Sequence, residues 1–410
     1  MELIYALLVL LVTTRFAGEV AERLKQPALV GELIAGIALG MLFTAYSDTF
    51  PVLAHLPDNE VFIGITDLAI LFLMLLAGLE MQPRELAKVS GRALVVAVGG
   101  MVLPLAMGFS LGWYFLPESD LKLAQSLFLA MVMSITAVPV SVKVLMDLGK
   151  LDTNVGKTII SAAVFDDIIS LFLLALLTAV IRTGSLPDAT SLLLLAGKAL
   201  LFFVIAGGIG YYLFPWIGNK LKRFRAQEFE FSALLIATLT YAMLAEALGM
   251  HFLLGAFLAG LFFVRQTIDT KVYNSIRRSL TTFTLGFFAP VFFASIGMHL
   301  NMTAAVEIPL FVLLLIVIAF AGKVIGSGLP ALVLGFSGRE SLAVGIGMSA
   351  RGAVELIIAD VALRAGLFAR PETSPIIDYL FSAVVIMALV TTLATPLALR
   401  PLVRSRSGGG

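Results

Sequence analysis

Long apolar runs separated by short polar connections make up nearly the whole chain. A helix that crosses a bilayer needs ~20 mostly apolar residues. Windows of that size fall at 3–22, 29–46, 61–80, 92–116, 124–148, 155–182, 190–215, 229–248, 250–266, 277–297, 307–336, 340–366 and 376–401. The pattern predicts an all-α polytopic membrane protein with about thirteen transmembrane helices. The first segment is the weakest, because Arg15, Glu19 and Glu22 occupy its second half. A cleaved signal peptide competes for it, but no basic stretch precedes the apolar run and no small-residue cleavage site follows. The segment therefore reads as a helix.

Composition agrees with that pattern. Of the 410 residues 60% are hydrophobic and 13% charged, against about 25% charged in a soluble domain. The formal net charge of +1 gives no electrostatic case for nucleic acid. With no Cys, thiolate metal sites, iron–sulfur clusters and Cys nucleophiles are excluded. The polar connections are loop-sized, and a GxxxxGK[ST] phosphate loop is absent, so an ATP-driven pump does not fit. No resident cofactor is expected. The terminal Ser407-Gly408-Gly409-Gly410 reads as an appended remnant, and 402–410 is set apart as a tail.

Lys and Arg in the connections fix the expected orientation. With the N-terminus outside, twenty of them fall on the inside, and only Lys122, Arg182, Arg364 and Arg370 fall outside. The expectation is N-terminus out and C-terminus cytoplasmic, in a bacterial inner membrane.

Several charges interrupt the apolar runs. A charge at mid-span costs about 2.5–3.5 kcal/mol even on the lenient insertion scale. Asp67, Lys143, Lys198 and Asp360 lie near span ends, where long side chains snorkel and a structural role suffices. Glu246 reads the same way, and Glu32 is evenly balanced between structure and function. The pair Asp166-Asp167 lies midway along 155–182. Neighbours on a helix point ~100° apart, so each carboxylate addresses a different partner. Two bare carboxylates in hydrocarbon take up protons, and a compensating cation is required. Lys323 is the obvious cation, with snorkelling as its structural alternative: it interrupts 307–336 between Gly322 and Gly326, where small residues permit close approach.

Two spans carry backbone breakers. Pro139 sits inside 124–148, and Gly345-Ile346-Gly347-Met348-Ser349-Ala350-Arg351-Gly352 sits inside 340–366. Freed carbonyls at membrane depth need protein, water or an ion as partners. The segments 92–182 and 307–401 both run as plain span, interrupted span, span. An odd offset of seven helices implies inverted-topology repeats, a plan in which ion sites lie at the midplane between discontinuous helices.

These residues resemble the cation:proton antiporter-2 family, close to its NapA-type sodium/proton exchangers. The resemblance runs through Gly31-Glu32-Leu33-Ile34-Ala35-Gly36, Leu76-Ala77-Gly78-Leu79-Glu80, Thr136–Ser141, Phe165-Asp166-Asp167, Gly255–Gly260, Gly322-Lys323-Val324-Ile325-Gly326 and Ser349-Ala350-Arg351-Gly352. It implies a sodium/proton antiporter fold with two crossed discontinuous helices, in a homodimer embedded in membrane lipid. Residues 1–80 and 229–297 would form the dimerisation scaffold. Residues 92–182 and 307–401 would form the ion-transporting core, and 190–215 a linker helix. Asp167 would bind the cation, Asp166 would pair with Lys323, and Thr136 would complete the ion shell. Arg351, Glu355 and Ser141 would surround them. The family often reads Arg-Gly-Glu where this chain has Arg351-Gly352-Ala353-Val354-Glu355. This chain also lacks the Gln before the Asp that marks Kef-type potassium efflux members.

The expected activity is exchange of Na⁺ or Li⁺ for H⁺ by alternating access, with one or two protons per cation left open by the residues, although the Asp pair with Lys323 resembles the electrogenic group of the family. Oxygen ligands suit a hard monovalent cation. K⁺/H⁺ or mixed exchange is the alternative, and a Na⁺-coupled organic-solute symporter of the same fold is a more distant one. An intramembrane aspartyl protease is rejected, because adjacent carboxylates on one helix cannot readily share a water.

Overall fold

The computed structural model describes residues 2–80, 91–136, 138–148, 150–151, 153–183, 189–213, 228–263, 270–368 and 374–403. The tail from 404 onward and the connections 81–90, 214–227 and 264–269, which hold much of the expected inside charge, lie outside the described residues. All regular structure among the described residues is helical. In chain order the main elements are α1 (Glu2–Arg23), α2 (Ala28–Ala45), α3 (Glu60–Glu80), α4 (Gly91–Phe115), α5 (Lys122–Ser134), α6 (Val138–Asp147), α7 (Asn154–Thr183) and α8 (Ala189–Gly208). There follow α9 (Glu228–Ala247), α10 (Phe252–Phe262), α11 (Thr270–Phe283), α12 (Ala289–Met298), α13 (Pro309–Val333), α14 (Gly338–Gly347), α15 (Ala353–Arg364) and α16 (Leu380–Val403). Six stretches are long and apolar enough to cross a membrane: α1, α3, α4, Tyr273–Met298, α13 and α16.

The expected spans reappear, two with informative differences and a third with the break that its glycines predict. The helix that carries the span 277–297 is already formed at Thr270, and α11 runs through a π-helical turn, Thr284–Phe288, into α12. Its polar turns ahead of 277 are hidden from a hydropathy window. The run 124–148 is cut before its proline rather than at it: α5 stops at Ser134 and α6 begins at Val138. Pro139 thus falls in the first turn of a new helix, where its missing N–H is an orphan anyway, and not in a helix interior. The run 340–366 is cut between α14 and α15, with Met348–Gly352 non-helical.

The chain divides into two compact units. The first comprises Met1–Val20, Gly31–Ala87 and Pro187–His299. Its core joins Ala6 and Leu10 of α1 to Leu39 and Phe43 of α2, Phe62 of α3 and Ala294 of α12. Glu32 is buried there and accepts from Arg15 at 3.2 Å, so this carboxylate is matched within its own unit. In the same unit a Cβ on Gly78 of α3 would lie 1.9 Å from the Phe257 carbonyl, and one on Gly260 of α10 would lie 2.1 Å from that of Leu75. Reciprocal small residues let these two backbones touch.

The second unit comprises Ala21–Val30, Lys88–Leu186 and Leu300–Gly410. Ile159, Ala162 and Ala163 of α7 pack with Val144 and Leu145 of α6, Val344 and Ile346 of α14 and Leu399 of α16. Gly99 of α4 and Gly326 of α13 face one another, each placing the other's carbonyl 2.5 Å from where a Cβ would stand. That contact lies one helical turn from Lys323 and fixes the depth at which α13 presents it. Asp360 is buried and pairs with Arg364 at 2.6 Å along α15. Asp67, Lys198 and Glu246 are exposed, whereas the side chain of Lys143 lies outside the described residues.

Candidate functional site

The second unit gathers four of the charges singled out in the sequence, Asp166, Lys323, Arg351 and Glu355. Lys323 leaves α13 between two glycines, and its ammonium donates to Asp166 Oδ1 of α7 at 2.8 Å. Neither side chain has any solvent exposure. An isolated charge at that depth is costly, and a paired one persists only with good geometry and further hydrogen bonds. Asp166 Oδ2 has no partner among the described residues. Asp167 follows on the same helix, about 100° round the axis. Its side chain lies outside the described residues.

The two interrupted helices meet beside this pair. Thr136, in the gap between α5 and α6, donates its hydroxyl to the Met348 carbonyl at 3.0 Å, and Ser141 of α6 donates to that of Gly347. Both bonds end on the last turn of α14 and the gap that follows, so hydroxyls of one broken helix satisfy carbonyls freed in the other. Val140 and Ala350 pack together at the same level.

Arg351 is fully buried in the second gap. Its Nη2 donates to the carbonyl of Met133, in the last turn of α5, and to that of Ala319 on α13 at 3.4 Å. A cation there faces the negative end of a half-helix. Glu355 is the third residue of α15, so its carboxylate sits at that helix's positive end. The two side chains approach to 3.8 Å, Nε to Oε2. Arg351 stands in the non-helical gap and pairs across the start of α15. Neither Glu355 oxygen accepts a hydrogen bond among the described residues. The field of Asp166 reaches Arg351, and that of Lys323 reaches Glu355. Two acids and two bases, Asp166, Glu355, Lys323 and Arg351, thus balance within one buried cluster.

One further side chain belongs to this constellation. Thr392 of α16 is buried and donates to the Arg351 carbonyl at 2.7 Å. Its neighbour Thr391 bonds back to Met387 and Ala388 in its own helix, the usual habit of a helical hydroxyl. Nothing in the sequence separates the two, since both read as small polar residues within an apolar run.

A family described as "Sodium/hydrogen exchanger, transmembrane" matches residues 6–405. The chain belongs to the sodium/hydrogen exchangers. Among relatives of this family, the Na(+)/H(+)-K(+) antiporter GerN of Bacillus cereus is 33% identical over 395 residues, covering 96% of this chain and 95% of that protein. A Na(+)/H(+) antiporter of Enterococcus hirae is 29% identical, with 98% of each chain covered. The fold is that of the sodium proton antiporter MjNhaP1 from Methanocaldococcus jannaschii at a TM-score of 0.74, with 18% identity and coverage of 98% of this chain and 99% of that one. The exchanger family thus carries an all-helical antiporter fold here, with the buried cluster in one of its two units.

Proposed function

We propose that this protein is a secondary transporter that exchanges Na⁺ for H⁺ across a bacterial inner membrane, with K⁺ as a second possible cargo in view of the mixed cation named for GerN. The observation that carries this reading is the buried pair of Lys323 on α13 with Asp166 on α7, the helix that also holds Asp167. Asp167 binds either a dehydrated cation or protons, never both, so competition for one carboxylate enforces exchange. Thr136 adds a hydroxyl oxygen: its hydrogen is committed to Met348, which leaves its lone pairs for a cation. Arg351 and Glu355 hold the crossing together electrically, and Ser141 holds it mechanically.

An unloaded Asp167 would carry uncompensated charge through an apolar seal, so the site crosses only when loaded. The second compact unit corresponds to the ion-transporting core of the family plan, and the first to the scaffold with linker helix 190–215. The scaffold joins two copies into a homodimer, with N-terminus outside and C-terminus in the cytoplasm. If Lys323 releases its proton when the cation arrives, two protons exchange for one cation and the cycle carries current.

Reconstitution in liposomes with an entrapped pH-sensitive dye tests this. Addition of Na⁺ should alkalinise or acidify the lumen according to its gradient, and Asp167→Asn should abolish the response. Wild-type rates in Asp167→Asn would overturn the assignment. The same assay with Li⁺, K⁺ and Rb⁺ sets the cargo.

A further inference from the structure

The gap between α14 and α15 frees a run of main-chain carbonyls, and side chains account for most of them. Gly345 O accepts from the Ser349 hydroxyl at 2.8 Å, Gly347 O from Ser141, and Met348 O from Thr136 at 3.0 Å. Arg351 O accepts from Thr392 at 2.7 Å, and Gly352 O from the Leu356 amide at 3.2 Å. Two oxygens are left between these fixed points. Among the described residues, no hydrogen bond reaches the carbonyl of Ser349 or that of Ala350, and both residues have zero exposure.

A buried carbonyl without a partner costs free energy comparable to a lost hydrogen bond, and at membrane depth only protein, water or an ion relieves it. Two consecutive ones are therefore maintained for a ligand or against a steady penalty. Their chemistry suits a hard cation, which takes main-chain oxygens readily. They begin one residue past the carbonyl to which Thr136 donates, so a cation held by Thr136 lies beside the same stretch of backbone.

We infer that Ser349 and Ala350 lend their main-chain carbonyl oxygens to the transported cation, and that Thr392 is the positioning residue that aims them by anchoring the next carbonyl, that of Arg351. The inference rests on the antiporter reading. Thr136 anchors the near side of the dipeptide and Thr392 the far side. The helix that carries Thr392 thereby sets cation affinity without touching the cation.

The test is Thr392→Val, which keeps the shape and removes the donor, beside Thr392→Ser, which restores it, and Thr391→Val as a neighbour that does not reach the gap. The readouts are KM and maximal rate for Na⁺ and for Li⁺ in liposomes, with Na⁺-dependent thermal stabilisation of the purified protein as a measure of binding. Loss of one buried hydrogen bond that orients the ligands is expected to raise the Na⁺ KM about tenfold. It should also change the Na⁺ to Li⁺ preference, because differently sized ions need different oxygen spacing, while the maximal rate stays near wild type. Thr392→Ser should recover both quantities, and Thr391→Val should leave them alone. Unchanged KM and ion preference in Thr392→Val would overturn the inference, as would equal effects of Thr391→Val. If Thr392→Val cannot be purified, Thr392→Cys, with its weaker donor, is read against the same two outcomes. A wild-type protein that exchanges no cation at all would instead strike down the antiporter reading itself.

Discussion

Lys323 and Asp166 stand 2.8 Å apart with neither side chain exposed, on helices α13 and α7 of the same compact unit. Removing one member of such a pair strands the other. Lys323→Ala is therefore expected to destabilise the protein by about 3–5 kcal/mol. The double variant Lys323→Ala/Asp166→Ala should recover much of that loss, since it leaves neither charge alone. Thermal unfolding of the purified protein, arranged as a double-mutant cycle, measures the coupling. Additive losses would mean that the pair does not stabilise the unit.

The glycine contact behind Lys323 makes a second prediction. Gly99 and Gly326 each leave room for the other's carbonyl, with only 2.5 Å to a built Cβ. Gly326→Ala must push α4 and α13 apart, because the obstructing atom is backbone and cannot swing aside. The expected cost is about 1–3 kcal/mol. The exchange rate should also fall, as Lys323 shifts relative to Asp166. Gly64→Ala is the matched control, since nothing lies within 4 Å of its Cβ position. Unfolding temperature and liposome exchange on the two variants decide the matter, and a harmless Gly326→Ala would contradict the packing argument.

Arg351 supports a third. Its guanidinium reaches carbonyls on two other helices, and Glu355 approaches it to 3.8 Å. Arg351→Met removes the cation and leaves the Met133 carbonyl and the Glu355 carboxylate buried together. We expect a loss of about 3–5 kcal/mol, partly relieved by adding Glu355→Gln, which removes the stranded charge. Arg351→Lys should fall short of wild type, because one ammonium cannot reproduce a planar fork serving two carbonyls. Thermal stability of the four proteins in one detergent gives the ranking. Arg351→Lys matching wild type would show that charge alone is enough.

Much of this arrangement is legible in the residues themselves, for a reason of cost. A Lys at mid-span is so unfavourable that an acid must meet it, and Asp166-Asp167 is the obvious pair deep enough to do so. The breaks are legible as well, because glycines and a proline inside apolar runs weaken a helix whatever surrounds them. The sequence puts the first break at Pro139, however, whereas the helix ends earlier, at Ser134. The π-helical turn at Thr284–Phe288 and the polar helical turns between Thr270 and 277 leave no mark on hydropathy. Thr392 is illegible for a different reason. Its hydroxyl is distinguished from that of Thr391 only by a carbonyl 41 residues away in the chain, and no local pattern encodes that meeting.

The last prediction concerns pH, and its sign follows from competition at Asp167. Protons and the cation contend for the same carboxylate, so lowering the pH must raise the apparent cation KM, and raising the pH must lower it. If loading the cation expels one proton, KM changes about tenfold per pH unit in the titrating range. If Lys323 also surrenders its proton, two leave together and the change approaches about a hundredfold per unit. The electrogenic reading predicts the steeper dependence in the wild type. Lys323→Ala should reduce it to the shallower one and remove the current carried per cation, because a single proton then balances a single cation. Initial exchange rates in liposomes over a series of pH values, paired with currents from the same proteoliposomes on a solid support, give both quantities. A steep wild-type dependence that survives Lys323→Ala would remove Lys323 from the proton count, and would leave its pairing with Asp166 a purely structural device.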